Sequence, residues 1–179
     1  MKYLFYLLLF FSAKGFSQKK GGDSLWGIDI KSKVLLLSED FSGSFGVVKG
    51  KVVFDPSLKR PKTLDLLLDV NSLDLEVPGM TKHALSSDYF HAAQFPVIRF
   101  QGQISTSPAG DYFAEGNMTV KGVVRWMKIP VKWEPRTSDK NSLLSASFPI
   151  KRADFNVGDE TSVSNEVKID AKLYFKNKK

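Results

Sequence analysis

Apolar residues recur at every second position through most of this chain, in short runs separated by Gly, Pro, Asn, Asp and Ser. A period of two puts alternate side chains on opposite faces, so such runs are half-buried β-strands and the folds open to the chain are all-β. Leu64, Leu66, Leu68 and Val70 face one way while Thr63, Asp65 and Asp69 face the other. The same parity joins Ile98, Phe100, Gly102 and Ile104; Tyr112, Ala114, Gly116, Met118 and Val120; and Met127, Ile129, Val131 and Trp133. It returns in Leu144, Ala146, Phe148 and Ile150, in Val167 to Phe175, and in Val48, Gly50, Val52 and Phe54. With Trp26 to Ile30 and Val34 to Leu37 the count is about eight or nine strands. Strands with one apolar and one charged face pack as a sandwich or close into a barrel, and closure removes exposed edges. The expectation is an antiparallel β-barrel of about eight strands, with a sandwich as the structural alternative. A membrane barrel, apolar outside, fits less well with the Lys and Asp pairs on the polar faces.

One segment breaks the rhythm. Between Pro78 and Pro96 the residues GMTKHALSSDYFHAAQF do not alternate, and a short helical insertion near residues 78–93 is expected there, covering the barrel, with Thr81 and Ser87 as caps. At the start, Lys2, the apolar run YLFYLLLFF and the small residues Gly15 and Ser17 read as a signal peptide over residues 1–17, cleaved near Ser17-Gln18. Nine apolar residues are too few to span a bilayer, which needs about 20 in a helix. The expected organisation is a signal at 1–17, a flexible stub at 18–24, one barrel domain over 25–176, and a periplasmic or secreted product with no membrane segment after cleavage.

Composition narrows the chemistry. The absence of Cys excludes disulfides, thiolate metal sites, Cys nucleophiles and a lipoprotein anchor. Lys2 and Lys14 leave with the signal and no acid does, so the net charge of +7 falls to +5. What remains alternates with apolar residues on outer strand faces (Lys128, Lys132, Lys168, Lys172), a solvated surface rather than a nucleic-acid footprint. No P-loop, dinucleotide or G-x-S-x-G motif occurs, and two His without a third ligand make no metal site. His83 and His91, eight apart in the insertion, with Asp88 between them, are the residues an enzyme would use at the rim, as a hydrolase for example. Arg125 and Arg152 continue the inner parity of their strands, where a guanidinium needs a carboxylate, a carbonyl cluster or the anionic head of a ligand.

The aromatic residues could fill an eight-stranded barrel or line a cavity within it, since that size lies at the boundary. Small inner-face residues (Gly50, Gly102, Ala114, Gly116, Ala146 and Ala171) favour space, and an elongated apolar cavity is expected. A filled barrel acting only through protein partners is the other reading.

The run HALSSDYFHAAQFPVIRF (His83 to Phe100), then MTVKGVVRWMKIPVKW (Met118 to Trp133) and FPIKRADFNVG (Phe148 to Gly158), resembles the YceI-like family of bacterial secreted, lipocalin-like proteins. DIKSKVLLLSED (Asp29 to Asp40) and the Phe45 to Asp55 segment resemble its opening strands. Trp126 and Met127 stand where a Pro-Val pair is common, and Asn156 where Gly is usual. The resemblance implies a lipocalin-like barrel whose channel binds a long amphiphile, usually a polyisoprenoid such as a prenyl quinone, with no enzymatic activity and no cofactor. Phe54, Phe100, Tyr112, Met118, Ile129, Trp133 and Phe148 are the residues expected to line the channel, with Arg125 or Arg152 at a polar head. The helical insertion is a surface through which a homodimer could form.

Overall fold

The alternating runs form the walls of a closed barrel. A computed structural model describes residues 23–135, 142–159 and 163–177; the expected signal peptide and most of the stub lie outside them. The strands are β1 (Ser24–Ile28), β2 (Lys33–Leu37), β3 (Ser42–Phe45), β4 (Val48–Asp55), β5 (Arg60–Asp69) and β6 (Leu73–Asp74). After the helix α1 (Pro78–Ala84) come β7 (Val97–Thr106), β8 (Tyr112–Val120), β9 (Val123–Glu134), β10 (Ser142–Lys151) and β11 (Glu166–Asn177). Eight of them close in the order β1-β4-β5-β7-β8-β9-β10-β11, with β11 returning to β1, all antiparallel. The sandwich alternative is excluded by that closure. The apolar parity points inward, opposite to a membrane barrel.

Closure depends on one bend. β1 pairs with the end of β11 (Ile28↔Phe175) and β2 with its earlier part (Lys33↔Lys172), so a single edge is covered by two short strands. At the bend, Asp29 N–H donates to the Tyr174 carbonyl at 2.7 Å, and the Ser32 hydroxyl accepts from Tyr174 N–H at 2.9 Å. These bonds carry the ladder through the kink. The Asp29 carboxylate accepts from Lys31 N–H at 2.9 Å and meets the Lys176 ammonium. Buried polar groups need such partners, which accounts for both Asp29 and Ser32 in the interior. β3 and β6 extend the sheet beyond β2 as a short flap that the period-two reading did not separate.

The hairpin between β8 and β9 turns on Lys121 (φ 47°) and Gly122 (φ 77°), the two positive φ values of a tight primed turn. α1 starts on Val77 with Pro78 at its first position, where the missing N–H costs nothing. Neither expected cap acts as one: the Thr81 hydroxyl accepts from Leu75 N–H at 3.0 Å, and the Ser87 hydroxyl donates to Asp88 at 3.2 Å. The helix is also shorter than the insertion, because the chain from Leu85 to Phe95 continues as turns.

On the outer wall, Arg99 donates Nε to Asp65 Oδ1 at 2.8 Å and Nη2 to Oδ2 at 2.9 Å, tying β5 to β7. This pairing holds the Asp65 carboxyl below its ordinary range. A carboxyl with a lowered folded pKa adds stability above its unfolded value, about pH 4, and that stability is lost as pH falls through the folded value. With Asp65 about one third exposed, the contribution is about 1 kcal/mol or less. Asp65→Asn is therefore expected to lower the melting temperature near neutrality by about 2–4 °C at most, and the difference from the parent should vanish as pH falls below the folded value of Asp65.

Candidate functional site

The two ends of the barrel differ. At one end, Trp26 stacks on Phe54 with ring centroids 4.5 Å apart, Phe54 meets Trp133 at 6.2 Å, and Trp133 meets Phe175 at 6.1 Å. Trp133 also donates its indole N–H to the Lys59 carbonyl at 3.0 Å. Tyr112 lies at this end beneath the Arg60 guanidinium, 5.8 Å from the ring centre. This aromatic plug shuts that end of the barrel.

Above the plug the interior is open, with about 230 Å³ of space available to the centre of a water-sized sphere. Phe100, Met118, Ile129 and Phe148 are on its wall, together with Leu64, Leu66 and Leu144. Phe54, Tyr112 and Trp133 are not. They have the inner parity expected of them but sit lower, in and beside the plug, because parity assigns a face and not a height along the axis. Of the small residues, Ala114, Ala146 and Ala171 border the space; Gly50, Gly102 and Gly116 do not. A Cβ added at Gly116 would lie 2.1 Å from the Gln101 carbonyl oxygen, so this glycine serves close approach of neighbouring strands rather than volume.

The far end is roofed. Met80 and Ala84, four apart on α1, present one helix face to the cavity, followed by Tyr89 and Phe90 from the turns and by Phe155 and Val157 beyond β10. Sequence reading anticipated a cover but named none of these six residues. The i, i+4 spacing of Met80 and Ala84 was the available signal.

Among the described residues, the side chains on the wall that carry polar groups are His83, Tyr89, Ser145, Lys151 and Arg152. Arg152 is 8% exposed, in a 3-10 turn (Arg152–Phe155) that follows β10. Its Nε donates to Ser164 O at 2.9 Å, Nη1 to Val157 O at 2.6 Å, and Nη2 to Val163 O at 2.6 Å and Asp159 O at 3.1 Å. Four of its N–H groups thus tie the turn to the carbonyls of Val157, Asp159, Val163 and Ser164, and among the described residues one Nη1 hydrogen is left over. The carbonyl cluster is the partner this buried cation required. Replacing Arg152 by Met should orphan those carbonyls and lower the melting temperature by about 6–12 °C, taking about 3 kcal/mol for a set of charge-assisted bonds.

Arg125 is placed differently: it is exposed on β9 and off the cavity wall, with Nη1 3.5 Å from its own neighbour's carbonyl, Val124 O. The rim residues are not joined to one another by any hydrogen bond among the described residues. His83 ends α1 and packs its ring edge-on to Tyr89 at 4.7 Å; His91, at φ 49° beyond the helix, packs against Phe95 at 5.8 Å. They share no helix face, because α1 stops at Ala84. Asp88 is exposed, and its backbone carbonyl accepts from Gly158 N–H at 3.0 Å. No cluster of His, Asp and Glu suited to a metal occurs among the described residues.

A family model described as the YceI-like domain matches residues 26–175. A UPF0312 protein of Pectobacterium atrosepticum is 26% identical over 119 residues, covering 64% of this chain and 62% of its own. One from an Enterobacter species is 27% identical over 123 residues, covering 66% of this chain and 60% of its own. The chain thus spans about 62% of the length of such relatives. Among solved structures, BcnA of Burkholderia cenocepacia superposes with a TM-score of 0.72 at 28% identity, covering 82% of this chain and 98% of that one. A polyisoprenoid-binding domain from Saccharophagus degradans superposes with a TM-score of 0.66 at 16% identity, covering 86% and 98%, which is a likeness of fold.

Proposed function

The chain belongs to the YceI-like domain family, and on that premise we propose that it is a non-enzymatic carrier that takes up the apolar chain of a polyisoprenoid or similar long amphiphile. The observation that carries this reading is the roofed cavity, whose wall among the described residues is apolar apart from five side chains, one of them already committed to carbonyls. A polar or charged substrate buried there would lose its hydration with almost nothing to replace it, at a cost of several kcal/mol. A hydrocarbon gains about 25 cal/mol for every Å² it removes from water. The solved Saccharophagus domain is described as polyisoprenoid-binding, which supports the ligand class.

The cavity also suggests a length. An engineered void of roughly 150 Å³ holds one six-carbon benzene, so 230 Å³ holds about nine carbons, roughly two isoprene units. A longer chain has to emerge. The remaining Nη1 hydrogen of Arg152 and the exposed imidazole of His83 are the contacts available to an oxygen at the roofed end. The leader sequence supports a periplasmic or secreted site of action, where such a chain cannot travel alone through water.

The test is extraction of the protein, purified without detergent from cells making the full chain, with organic solvent followed by mass spectrometry. About one isoprenoid chain per barrel is expected. A lipid-free barrel that also takes up no farnesol when titrated with it would overturn the reading.

A further inference from the structure

The barrel wall is not equally closed all round. β9 and β10 pair only where Val131–Glu134 faces Leu143–Ala146. β9 nevertheless begins at Val123 and β10 runs on to Lys151, and each stays paired along its other edge, β9 with β8 to Val123 and β10 with β11 to Lys151. The gap therefore lies between two intact strands. Its cause is in the residues. Continuing the register would set Pro130 opposite Ser147 and Lys128 opposite Pro149, and proline, having no N–H, is confined in sheets to edges that need no donor.

The gap opens onto the cavity. Phe148 and Ile150 belong to the cavity wall yet are only half-buried, and across the gap Met127 is half-buried and Arg125 exposed although both have inner parity. Lower in the same strands, where pairing is complete, Trp133 is 9% and Leu144 3% exposed, and Ile129, just beyond the last pair, is still only 5% exposed. The inner face is thus partly exposed from the side, between Ile129 and the 3-10 turn that packs against β9.

Beside the gap, the outer face of β9 carries Trp126 at 65% and Val124 at 52% exposure. Among the described residues, Arg125 makes no ion pair, and the Lys121 ammonium, at the hairpin tip, donates to the Asn156 and Asp88 carbonyls at 2.9 and 3.4 Å. Of the acids on this flank, Glu115 is held by Lys128 at 2.9 Å, and Asp88 is exposed beside Lys121. Asp154 belongs to the 3-10 turn that packs against β9, and Glu166 faces Lys151 in the β10–β11 ladder. An exposed Trp flanked by Arg and Lys is the composition that settles at the headgroup level of an anionic bilayer.

We infer that the gap between β9 and β10 is a lateral door for the apolar chain, and that the β9 flank docks it onto an anionic lipid surface, with Trp126 in the interface and Arg125 and Lys121 at the phosphates. The inference rests on the proposed lipid-binding function. A chain can then pass from bilayer to cavity without its full length crossing water, and the roof of α1 need not open.

Because the chain has no Cys, a pair introduced by Met127→Cys and Ile150→Cys can be joined specifically across the gap with a short bismaleimide. The readout is farnesol taken up from vesicles of phosphatidylcholine, with and without phosphatidylglycerol, measured by mass spectrometry after the vesicles are sedimented. Cross-linking is expected to slow uptake at least tenfold relative to the same variant unlinked. Trp126→Ser and Arg125→Ser, at exposed positions, should each weaken binding to the phosphatidylglycerol vesicles about fivefold and leave the melting temperature unchanged. Uptake at the same rate with the gap bridged overturns the door. Vesicle binding indifferent to phosphatidylglycerol and to Trp126 overturns the docking surface, as does a Trp126→Ser variant that loses self-association instead, which would make the partner a second copy. If farnesol titrated in solution still fills the barrel, either failure leaves the carrier reading standing.

Discussion

With Ala146 and Ala171 both replaced by Phe, the purified barrel is expected to carry no extractable lipid while melting within a few degrees of the parent. The two alanines face each other directly across β10 and β11, and both border the cavity. An engineered void of roughly 150 Å³ holds one benzene, so two phenyl rings more than account for the 230 Å³ present here. Burying each ring is worth about 2–3 kcal/mol, against about 1–3 kcal/mol for crowding the wall, so the net change in stability is small. That balance makes the variant informative: ligand is lost without loss of fold. Lys172→Phe, one position along β11 and exposed, serves as the control and should keep its lipid. Lipid retained in the double variant would mean that the chain lies outside the cavity.

The face of nearly every strand residue was legible in the sequence, because a closed barrel buries one parity and solvates the other along its whole length. Height along the axis was not. Phe54, Phe100 and Trp133 have the same parity, yet Phe100 borders the cavity while the other two stack in the plug. What separates them is which strand ends meet, and that depends on register between strands far apart in sequence. The lateral gap was present in the letters as Pro130 and Pro149, but each sits inside a run that alternates well, and alternation reports side chains rather than the backbone N–H groups proline removes. Arg152 continues the apolar parity of Phe148 and Ile150, so the sequence demands a partner for it but leaves open an acid, a carbonyl cluster or a ligand's head. Its carbonyl partners come from 5 to 12 residues downstream, in a loop with no periodic signal.

The inner glycines invite the same error, and Gly116→Ala separates the two readings of them. If Gly116 merely left room, the added methyl would shrink the cavity, lower the lipid content and leave stability alone. The structure requires the opposite. Gly116 lies directly opposite Gly102 in the β7–β8 ladder, and a Cβ on it meets the Gln101 carbonyl oxygen at 2.1 Å and the Gly102 Cα at 2.4 Å. Both are backbone atoms that cannot rotate aside, and contact distances of about 3.5 Å leave a shortfall above 1 Å. Relief must come from spreading two strands that are paired from Arg99↔Thr119 to Thr106↔Tyr112, and each ladder bond weakened costs about 1 kcal/mol. A loss of at least about 3 kcal/mol, set against a total of about 5–15, corresponds to a fall in melting temperature of about 6–12 °C for Gly116→Ala. Gly116→Val, with two further methyls in the same place, is expected to recover no folded protein. Gly79 provides the contrast, since a Cβ there, in the first turn of α1, meets nothing within 4 Å, and Gly79→Ala should hold or raise the melting temperature. A Gly116→Ala barrel that melts with the parent but has lost its lipid would return this glycine to the cavity and overturn its assignment to strand packing.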